Sequence, residues 1–447
     1  MGKPAEPRLL RHTPEIPFDP DIGTYTIFPA RGGSYEPYEY TGWIDESLSW
    51  KETCYIGDWS PLNKFQVKGP QALHFFSDVA VNSLAKFEVG QAKHLVLCNA
   101  DGKVVTEGVC MRYGAEELVY SAGTIHWPAF QFERGNYRAE ARWLEREEFI
   151  IQVQGPTALF VLEKAAGESL RDIGFMRFRK GRIAGRAVTI LRQGMSGDIG
   201  FELHGPSADA LATHQAILDA GREFGIRRLG GRAKMVNHVE ACFPTPSVDF
   251  IPAVYGEENY FAWMRTKYPG FSGRRMATAG SFESDDIRAY YRSPVELGWM
   301  KNIKFDHAFI GSAALEAEVA RPKRVMTTLV WNAEDVIDVY ASLFQGGAPF
   351  DYMEMPRALL NRMEADQVMK DGRLVGVSTS RCYSHFFRQM LSLCTLDVGS
   401  AALGTEVAVV WGRPGGPQKT IRATVAPAPY KSDRRRTDLS ALPPYRG

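Results

Sequence analysis

Two stretches of this 447-residue chain repeat one pattern, and that repeat limits the folds open to the chain. Residues 65–76 read FQVKGPQALHFF, and residues 151–162 read IQVQGPTALFVL. Each copy runs from strand-like alternation into Gly-Pro and then into apolar residues at helical spacing. Proline suits the first turn of a helix, because its missing N–H would have no partner there. The chain is therefore predicted to contain a duplicated strand–turn–helix unit within an α+β fold.

The duplicated unit predicts how the larger part of the chain is organised. Residues 51–325 are expected to form one body, with repeats near 55–145 and 146–235 and a loop region over 236–325. Residues 1–50 are rich in proline and aromatic side chains, which indicates an arm that packs over the body. The chain should divide into two or three domains, since single cores rarely exceed about 250–300 residues.

The C-terminal part of the chain has a different pattern. Short strand-like runs separated by Gly, Asp and Pro predict a small β-barrel or sandwich domain over 326–430. One helix is expected to interrupt it near 355–371, and residues 431–447 are expected to form a basic, solvated tail. The predicted strands are 326–331, 372–379, 390–396, 406–411 and 420–425.

Composition excludes several classes of function. A formal net charge of +1 offers no reason to expect nucleic acid or an anionic membrane as a partner. The six cysteines form no CxxC pair and the histidines do not cluster, so neither a disulfide framework nor a metal site is predicted. No apolar run approaches the roughly 18–20 residues of a membrane span, and no secretory signal is recognisable. A cytoplasmic protein of undetermined oligomeric state is expected.

Residues 236–255 read VNHVEACFPTPSVDFIPAVY and contain three prolines and no glycine. Proline lacks a backbone donor, so this stretch is predicted to be neither helix interior nor central strand. A simple connector and a stiff loop lining a functional site are both open interpretations. The chain has no GxGxxG, P-loop, HExxH or GxSxG motif, so the common cofactor and hydrolase signatures are absent.

Several short motifs follow one another in a fixed order along the chain. They are DWSPL at 58–62, NADGKVVTE at 99–107, GFE at 200–202, VE at 239–240, and the blocks at 294–311, 376–384, 404–405 and 429–430. Their order resembles the glycine-cleavage T-protein family, the folate-binding aminomethyltransferases and their relatives. The resemblance implies a duplicated α/β folate-binding body in a cloverleaf arrangement with a C-terminal β-barrel or sandwich domain. It also implies tetrahydrofolate as the cofactor.

Some motifs depart from the aminomethyltransferase pattern. Thr106 and Glu107 stand where those enzymes have an Asp-Asp pair, and Pro61 stands where they have a histidine. A threonine cannot hold the charge that an amine-transfer site uses. The passages at 22–25, 251–255 and 295–311 instead resemble the tetrahydrofolate-dependent aryl O-demethylases, which act on vanillate, 3-O-methylgallate and syringate.

That closer resemblance implies a methyltransferase that moves a methyl group from an aromatic methoxy substrate to N5 of tetrahydrofolate. The expected substrate is a methoxybenzoate, either lignin-derived or chlorinated. An amine-directed aminomethyltransferase or dimethylglycine-type one-carbon transferase is the alternative enzyme, and a non-catalytic folate-binding protein is the alternative without activity.

The resemblance also implies roles for individual side chains. Tyr255 is expected to act as general acid, because the ordinary pKa of tyrosine, about 10, is close to that of a leaving phenol. The subfamily's carboxylate-binding arginine falls near Gly123, where this chain has none. Carboxylates suit a reduced pterin because they accept its adjacent N–H groups. The expected substrate contacts are Tyr25, Trp59, His126 and Trp127, and the expected folate contacts are Asp58, Gln154, Glu202, Glu240, Trp263 and Arg388.

Overall fold

The computed structural model describes residues 11–12, 25–28, 34–144, 146–269, 271, 273–357 and 362–445. Its helices are α1 (Trp43–Glu52), α2 (Ala72–Val79), α3 (His126–Arg134), α4 (Ala158–Ala166), α5 (Ala210–Gly221), α6 (Gly231–Glu240), α7 (Glu258–Lys267), α8 (Ser312–Ala320) and α9 (Ala333–Ala341). Its strands are β1 (Arg11–His12), β2 (Tyr25–Phe28), β3 (Ser34–Pro37), β4 (Cys54–Asp58), β5 (Asn63–Lys68), β6 (Ala92–Cys98), β7 (Val104–Gly114), β8 (Glu117–Ala122), β9 (Glu140–Trp143), β10 (Glu148–Gln154), β11 (Phe178–Ile183), β12 (Arg186–Leu191), β13 (Gly200–Pro206), β14 (Ile226–Arg228), β15 (Ala277–Ala279), β16 (Arg324–Trp331), β17 (Arg362–Glu364), β18 (Asp366–Lys370), β19 (Arg373–Ser384), β20 (Gln389–Asp397), β21 (Glu406–Trp411) and β22 (Lys419–Ala426).

Three larger β-structures organise these elements. Strands of the first repeat form a five-stranded sheet in the order β6-β7-β8-β5-β9, and strands of the second repeat, joined by β4, form a six-stranded sheet in the order β11-β12-β13-β10-β4-β14. The C-terminal strands close into a barrel in the order β16-β20-β19-β18-β21-β22. The predicted α+β fold with a C-terminal β domain is therefore confirmed, and that domain is a barrel rather than a sandwich.

The repeated pattern forms the same turn in both sheets. In the first copy β5 leads into α2, and in the second β10 leads into α4. The glycines between them, Gly69 and Gly155, have φ angles of +142° and +132°, a region that favours glycine. A Cβ at Gly155 would lie 2.4 Å from the Thr53 carbonyl oxygen, so the turn also needs close backbone approach. Each helix begins two residues after its proline.

Helix α6 is held against the centre of the molecule by one apolar face. Ala233, Val236 and Val239 recur at helical spacing and are fully buried. They pack in a cluster that also contains Phe250 and Trp50. Burying each large apolar side chain contributes about 1.5–3 kcal/mol, so this face positions the helix firmly. Residues 236–240 are therefore helical, and only the remainder of the proline-rich stretch is loop.

The barrel contains strands close to those predicted, but its helix lies elsewhere. No helix forms over 362–371, because residues 366–370 pair with β19 in a hairpin. Its turn residues Asp371 and Gly372 have φ angles of +49° and +72°, which suits the Asp-Gly type I′ turn. Helix α9 forms instead, where the Asn332 side chain accepts a hydrogen bond from the Asp335 amide at its N-terminus.

The C-terminal tail is docked rather than solvated. Lys431 Nζ lies 3.0 Å from Asp198 Oδ2, and both side chains are buried. The Arg171 guanidinium donates to the Leu439 carbonyl at 3.0 Å, and the Leu439 side chain lies in the core of the second repeat. The burial of an apolar side chain and the hydrogen bonds to backbone acceptors therefore hold the tail on the body, although the tail contains a run of charged arginines. Across the described ranges, no helix is long and apolar enough to cross a membrane.

Candidate active site

A cavity of about 1020 Å³ lies where the two sheets of the body meet helix α6 and the C-terminal segment. This volume is at the upper end of the roughly 300–1,000 Å³ of ligand pockets, so it can hold two ligands together. Its walls combine carboxylates with aromatic rings. The aromatic residues that line it are Trp59, Phe175, Phe243 and Trp299.

Glu202 is the carboxylate around which one wall is built. It is 4% exposed and lies opposite Gln152 in the pairing of β10 with β13. Its Oε1 accepts hydrogen bonds from the side-chain amides of Gln152, at 2.5 Å, and Gln193. His204 Nε2 lies 3.4 Å from the other oxygen, Oε2. Strand alternation places His204 and Glu202 on one face.

Asp58 lies at the end of β4, on the same wall. Its Oδ1 accepts a hydrogen bond from the Ser60 amide at 2.8 Å. Its Oδ2 is buried and has no hydrogen-bond partner among the described residues. Trp59 stacks on Tyr55 with ring centroids 6.3 Å apart, and Lys234 Nζ lies 4.3 Å from the Trp59 ring centroid. Asp58 and Trp59 thus share the predicted cavity with Glu202.

His94 and Glu107 form a second polar pair on the cavity, on strands β6 and β7. His94 Nε2 lies 2.8 Å from Glu107 Oε2. In the sequence, Glu107 stands out only as a departure from an Asp-Asp motif, and His94 belongs to none of the motifs. The hairpin register brings the two together: Glu107 pairs with Val96, which places it diagonally opposite His94 on one face.

Thr106, the neighbouring motif residue, also lines the cavity. Its hydroxyl donates to the Thr124 carbonyl at 2.9 Å, so it is committed to the backbone. Gly123, near which the O-demethylases' arginine falls, lines the cavity too, and a Cβ there would meet no atom within 4 Å. The wall is therefore open where that arginine would stand.

Tyr255 does not line the cavity, contrary to the predicted arrangement. Its hydroxyl donates to the Arg274 carbonyl and accepts from the Met276 amide, each at 3.1 Å. Burial raises the pKa of Tyr255, and the Met276 hydrogen bond opposes that shift. The prolines of this stretch therefore do not direct the hydroxyl into the cavity. The loop still forms part of the wall, through Phe243, Thr245, Pro246, Ser247 and Val248.

Glu240 also lies outside the cavity wall. It is fully buried, with Lys51 Nζ 2.6 Å from its Oε2. It further accepts hydrogen bonds from Trp50 Nε1 at 2.9 Å and from the Ser384 hydroxyl at 2.6 Å. Three donors occupy its two oxygens, so the structure places Glu240 in a contact joining α1, α6 and the barrel rather than beside a pterin.

The other predicted folate contacts have different surroundings. Gln154 is buried behind the wall, where its side-chain Nε2 donates to the side-chain oxygen Oε1 of Gln152 at 2.7 Å. Trp263 lies on helix α7, outside the cavity lining, and its indole N–H donates to Glu133 Oε2 at 2.8 Å. Arg388 is exposed in the turn between β19 and β20. Of these three residues only Gln154 has a link to the cavity wall, because it binds the Gln152 side-chain amide that donates to Glu202.

The predicted substrate contacts separate as well. His126 Nδ1 lies 2.8 Å from the Thr124 hydroxyl, and burial lowers the pKa of His126 to about 4. Trp127 is buried in the core of the first repeat, with its ring centroid 5.5 Å from that of Tyr260. The side chain of Tyr25, in β2, lies outside the described part of the structure. Of these contacts, Trp59 reaches the cavity.

The docked tail, predicted to be solvated, adds cations to the cavity wall. Arg435 and Arg436 both line the cavity. The Arg435 guanidinium is paired with Asp433, with Nη2 2.7 Å from Oδ2. The Arg436 guanidinium carbon lies 4.6 Å from the ring centroid of Phe175. Leu439 is the signal in the sequence that this tail docks, because an apolar residue is unexpected in a solvated tail.

The carboxylate oxygens of this cavity fit tetrahydrofolate. A reduced pterin presents adjacent N–H groups, and the buried, unpartnered Asp58 Oδ2 is an acceptor that such a group would satisfy. Metal ligation has less support: the described residues contain no group of three or more His, Cys, Asp or Glu side chains able to hold an ion.

Comparison with known proteins agrees with this geometry. Residues 26–264 match the family model described as GCVT N-terminal domain. Sesamin methylene transferase of Sinomonas sp. (strain No.22) is 38% identical over 91% of this chain and 92% of its own length. Syringate O-demethylase of Sphingobium sp. (strain SYK-6) is 34% identical over 89% and 90%.

A solved structure shares the fold at lower identity. Aminomethyltransferase T of the glycine cleavage system from Bartonella henselae superposes with a TM-score of 0.70, at 19% identity, over 95% of this chain and 99% of that one. At that identity the likeness shows the fold alone. The family model and the sequence relatives establish that the chain belongs to the family of the GCVT N-terminal domain, as an enzyme that transfers one-carbon groups with tetrahydrofolate as cofactor.

Proposed function

We propose that this enzyme transfers the methyl group of an aryl methyl ether to tetrahydrofolate and releases a phenol. The carrying observation is Thr106, which lines the cavity where the aminomethyltransferase pattern has an aspartate. Its hydroxyl is committed to the Thr124 carbonyl, so this position offers an approaching amine no charge. An aryl ether is neutral and requires none there.

Asp58 and Glu202 would hold the pterin ring by accepting its N–H groups. Tetrahydrofolate supplies the N5 amine that is the methyl acceptor. The protein's task is to hold this nucleophile, the methyl carbon and the ether oxygen in line, because phenolate is a poor leaving group. The Gln154–Gln152 hydrogen bond at 2.7 Å orients the amide that fixes Glu202. The carboxylate is thus pre-positioned before either ligand enters.

The cavity walls favour an aromatic substrate. Trp59, Phe243 and Trp299 line the cavity, and aromatic rings pair favourably with their centroids about 4.5–7 Å apart. Syringate, named in one relative, is a methoxylated benzoate, which supports a methoxybenzoate substrate that is lignin-derived or chlorinated. At Gly123 the wall has no arginine to bind the carboxylate of a benzoate, and the open wall leaves space for a larger ring system.

Methylene transfer is a second candidate, favoured by the 38% identical sesamin methylene transferase. Sesamin carries methylenedioxy rings, in which one carbon bridges two aryl oxygens. Moving that carbon breaks two C–O bonds, and the two amine protons displaced from the acceptor balance the two phenols formed. The product would be methylenetetrahydrofolate rather than methyltetrahydrofolate.

One anaerobic experiment separates these functions. The enzyme is incubated with tetrahydrofolate and a panel of methoxybenzoates, methylenedioxyarenes and methylamines, and the products are identified by mass spectrometry. Methyltetrahydrofolate with an equal amount of a phenol supports demethylation. Methylenetetrahydrofolate with a catechol supports the second candidate, and product from the methylamines alone supports the amine-directed alternative and refutes the proposal.

A further inference from the structure

Catalysis at an aryl ether needs a proton for the departing oxygen, and a histidine–carboxylate pair lies on the cavity wall. His94 and Glu107 both line the cavity, with 23% and 12% of their side chains exposed. We propose that Glu107 exchanges the proton with the ether oxygen and that His94 positions Glu107, so that this pair replaces Tyr255 as the acid. This inference rests on the proposed function.

The pair is held rigidly by its surroundings. The His94 ring meets Trp299 edge-on, with centroids 5.1 Å apart. The Asn302 side-chain nitrogen lies 3.3 Å from His94 Nδ1. The Asn302 amide nitrogen can only donate, so His94 Nδ1 accepts that hydrogen bond. In the neutral tautomer that this pattern implies, His94 Nε2 carries the hydrogen and donates it to Glu107 Oε2.

Glu107 is the cavity carboxylate best placed to exchange a proton. Its Oε2 receives the His94 hydrogen bond, and no described residue forms a hydrogen bond with its Oε1. Glu202, in contrast, is bound by two amides and faces His204. The Tyr255 hydroxyl already donates to one backbone group and accepts from another.

The transfer balances with this pair as proton carrier. The amine lone pair forms the N–C bond, the C–O bond breaks, and its electrons remain on the aryl oxygen. The Glu107 carboxyl proton passes to that oxygen, and the carboxylate then takes the proton that the amine loses. The pair is neutral when loaded with the proton and carries one negative charge afterwards, stabilised by His94 Nε2–H.

Leaving-group dependence tests the proposal. The probes are 4-methoxybenzoate and 4-methoxy-3-nitrobenzoate, because a nitrophenolate leaves without needing a proton. Glu107→Gln should lower kcat on the first ether by about 10²–10⁴-fold, the contribution of general acid catalysis, and on the nitro ether by less than about 10-fold. His94→Gln, which keeps a donor to Glu107, should retain far more activity than His94→Leu, with KM unchanged in both.

Tyr255→Phe is the matched comparison. If it reproduces this selective loss while Glu107→Gln leaves kcat unchanged, the tyrosine is the acid and the pair proposal is overturned. Equal losses on both ethers in Glu107→Gln also overturn it. Wild-type protein that demethylates no methoxyarene of the panel refutes the proposed function itself, and the pair then has no reaction to serve.

A binding measurement provides a readout without tetrahydrofolate. The probe is 4-hydroxy-3-nitrobenzoate, whose ionised form absorbs visible light. The negative charge of Glu107 should hold the bound phenol neutral, whereas glutamine at that position should allow more phenolate and a stronger visible band. Equal bands in wild type and Glu107→Gln would show that Glu107 does not meet the aryl oxygen.

Discussion

The buried Lys51–Glu240 contact is expected to determine the stability of the body–barrel junction rather than folate binding. The perturbation is Glu240→Gln, which keeps the side-chain volume but removes the charge. Lys51 Nζ and Glu240 Oε2 are 2.6 Å apart, with 2% and 0% of their side chains exposed. Their gross attraction is about 6 kcal/mol at an effective dielectric constant of about 20.

The net effect is smaller, because burying both charges has its own cost. Removing one partner of a buried pair costs about 3–5 kcal/mol, since the other charge is left uncompensated. For a protein of this size, about 2 °C is lost per kcal/mol, so the melting temperature should fall by about 6–10 °C. Tetrahydrofolate should still bind the variant normally well below that temperature.

Thermal unfolding and fluorescence titration with tetrahydrofolate test this prediction together. The control is the Lys51→Met, Glu240→Gln double variant, which removes both charges and should recover part of the lost stability. A Glu240→Gln variant with an unchanged melting temperature and no folate binding would refute this reasoning and place Glu240 at the pterin.

Four further outcomes are expected. Glu202→Gln should weaken tetrahydrofolate binding at least ~10-fold in fluorescence titration, with the melting temperature unchanged, because its wall faces the cavity. Arg436→Ala should weaken binding of tetrahydrofolate about 5-fold but not of a pterin lacking the glutamate tail, since only the tail carries carboxylates. Gly155→Ala should destabilise the fold by more than ~3 kcal/mol in denaturant unfolding, whereas Gly167→Ala, also at positive φ but with no atom within 4 Å of the added Cβ, should cost about 1 kcal/mol. Burial lowers the pKa of His126 from 6.5 to about 4, so between these pH values the unfolded chain binds a proton that the folded chain does not. The free energy of unfolding should therefore decrease as the pH falls from 6.5 to 4, and it should decrease less steeply in His126→Gln.

The sequence by itself determined the local features of the fold. Gly69 and Gly155 lie between a strand and a helix, where the required φ angles favour glycine. Barrel strands are readable because alternation and turn residues act over a few positions. The Asp371-Gly372 turn is equally local, and this Asp-Gly pair favours the observed hairpin over the predicted helix.

Only the tertiary structure decided which polar groups reach the cavity. Glu202 and Glu240 are both motif carboxylates, yet one lines the cavity and the other is neutralised by Lys51, a residue 189 positions away in the chain. His94 and Glu107 became a pair through the register of a hairpin. Motifs specify residue types, whereas the partner of each polar atom depends on helix phase, strand register and domain docking, and these are set by burial across the whole chain.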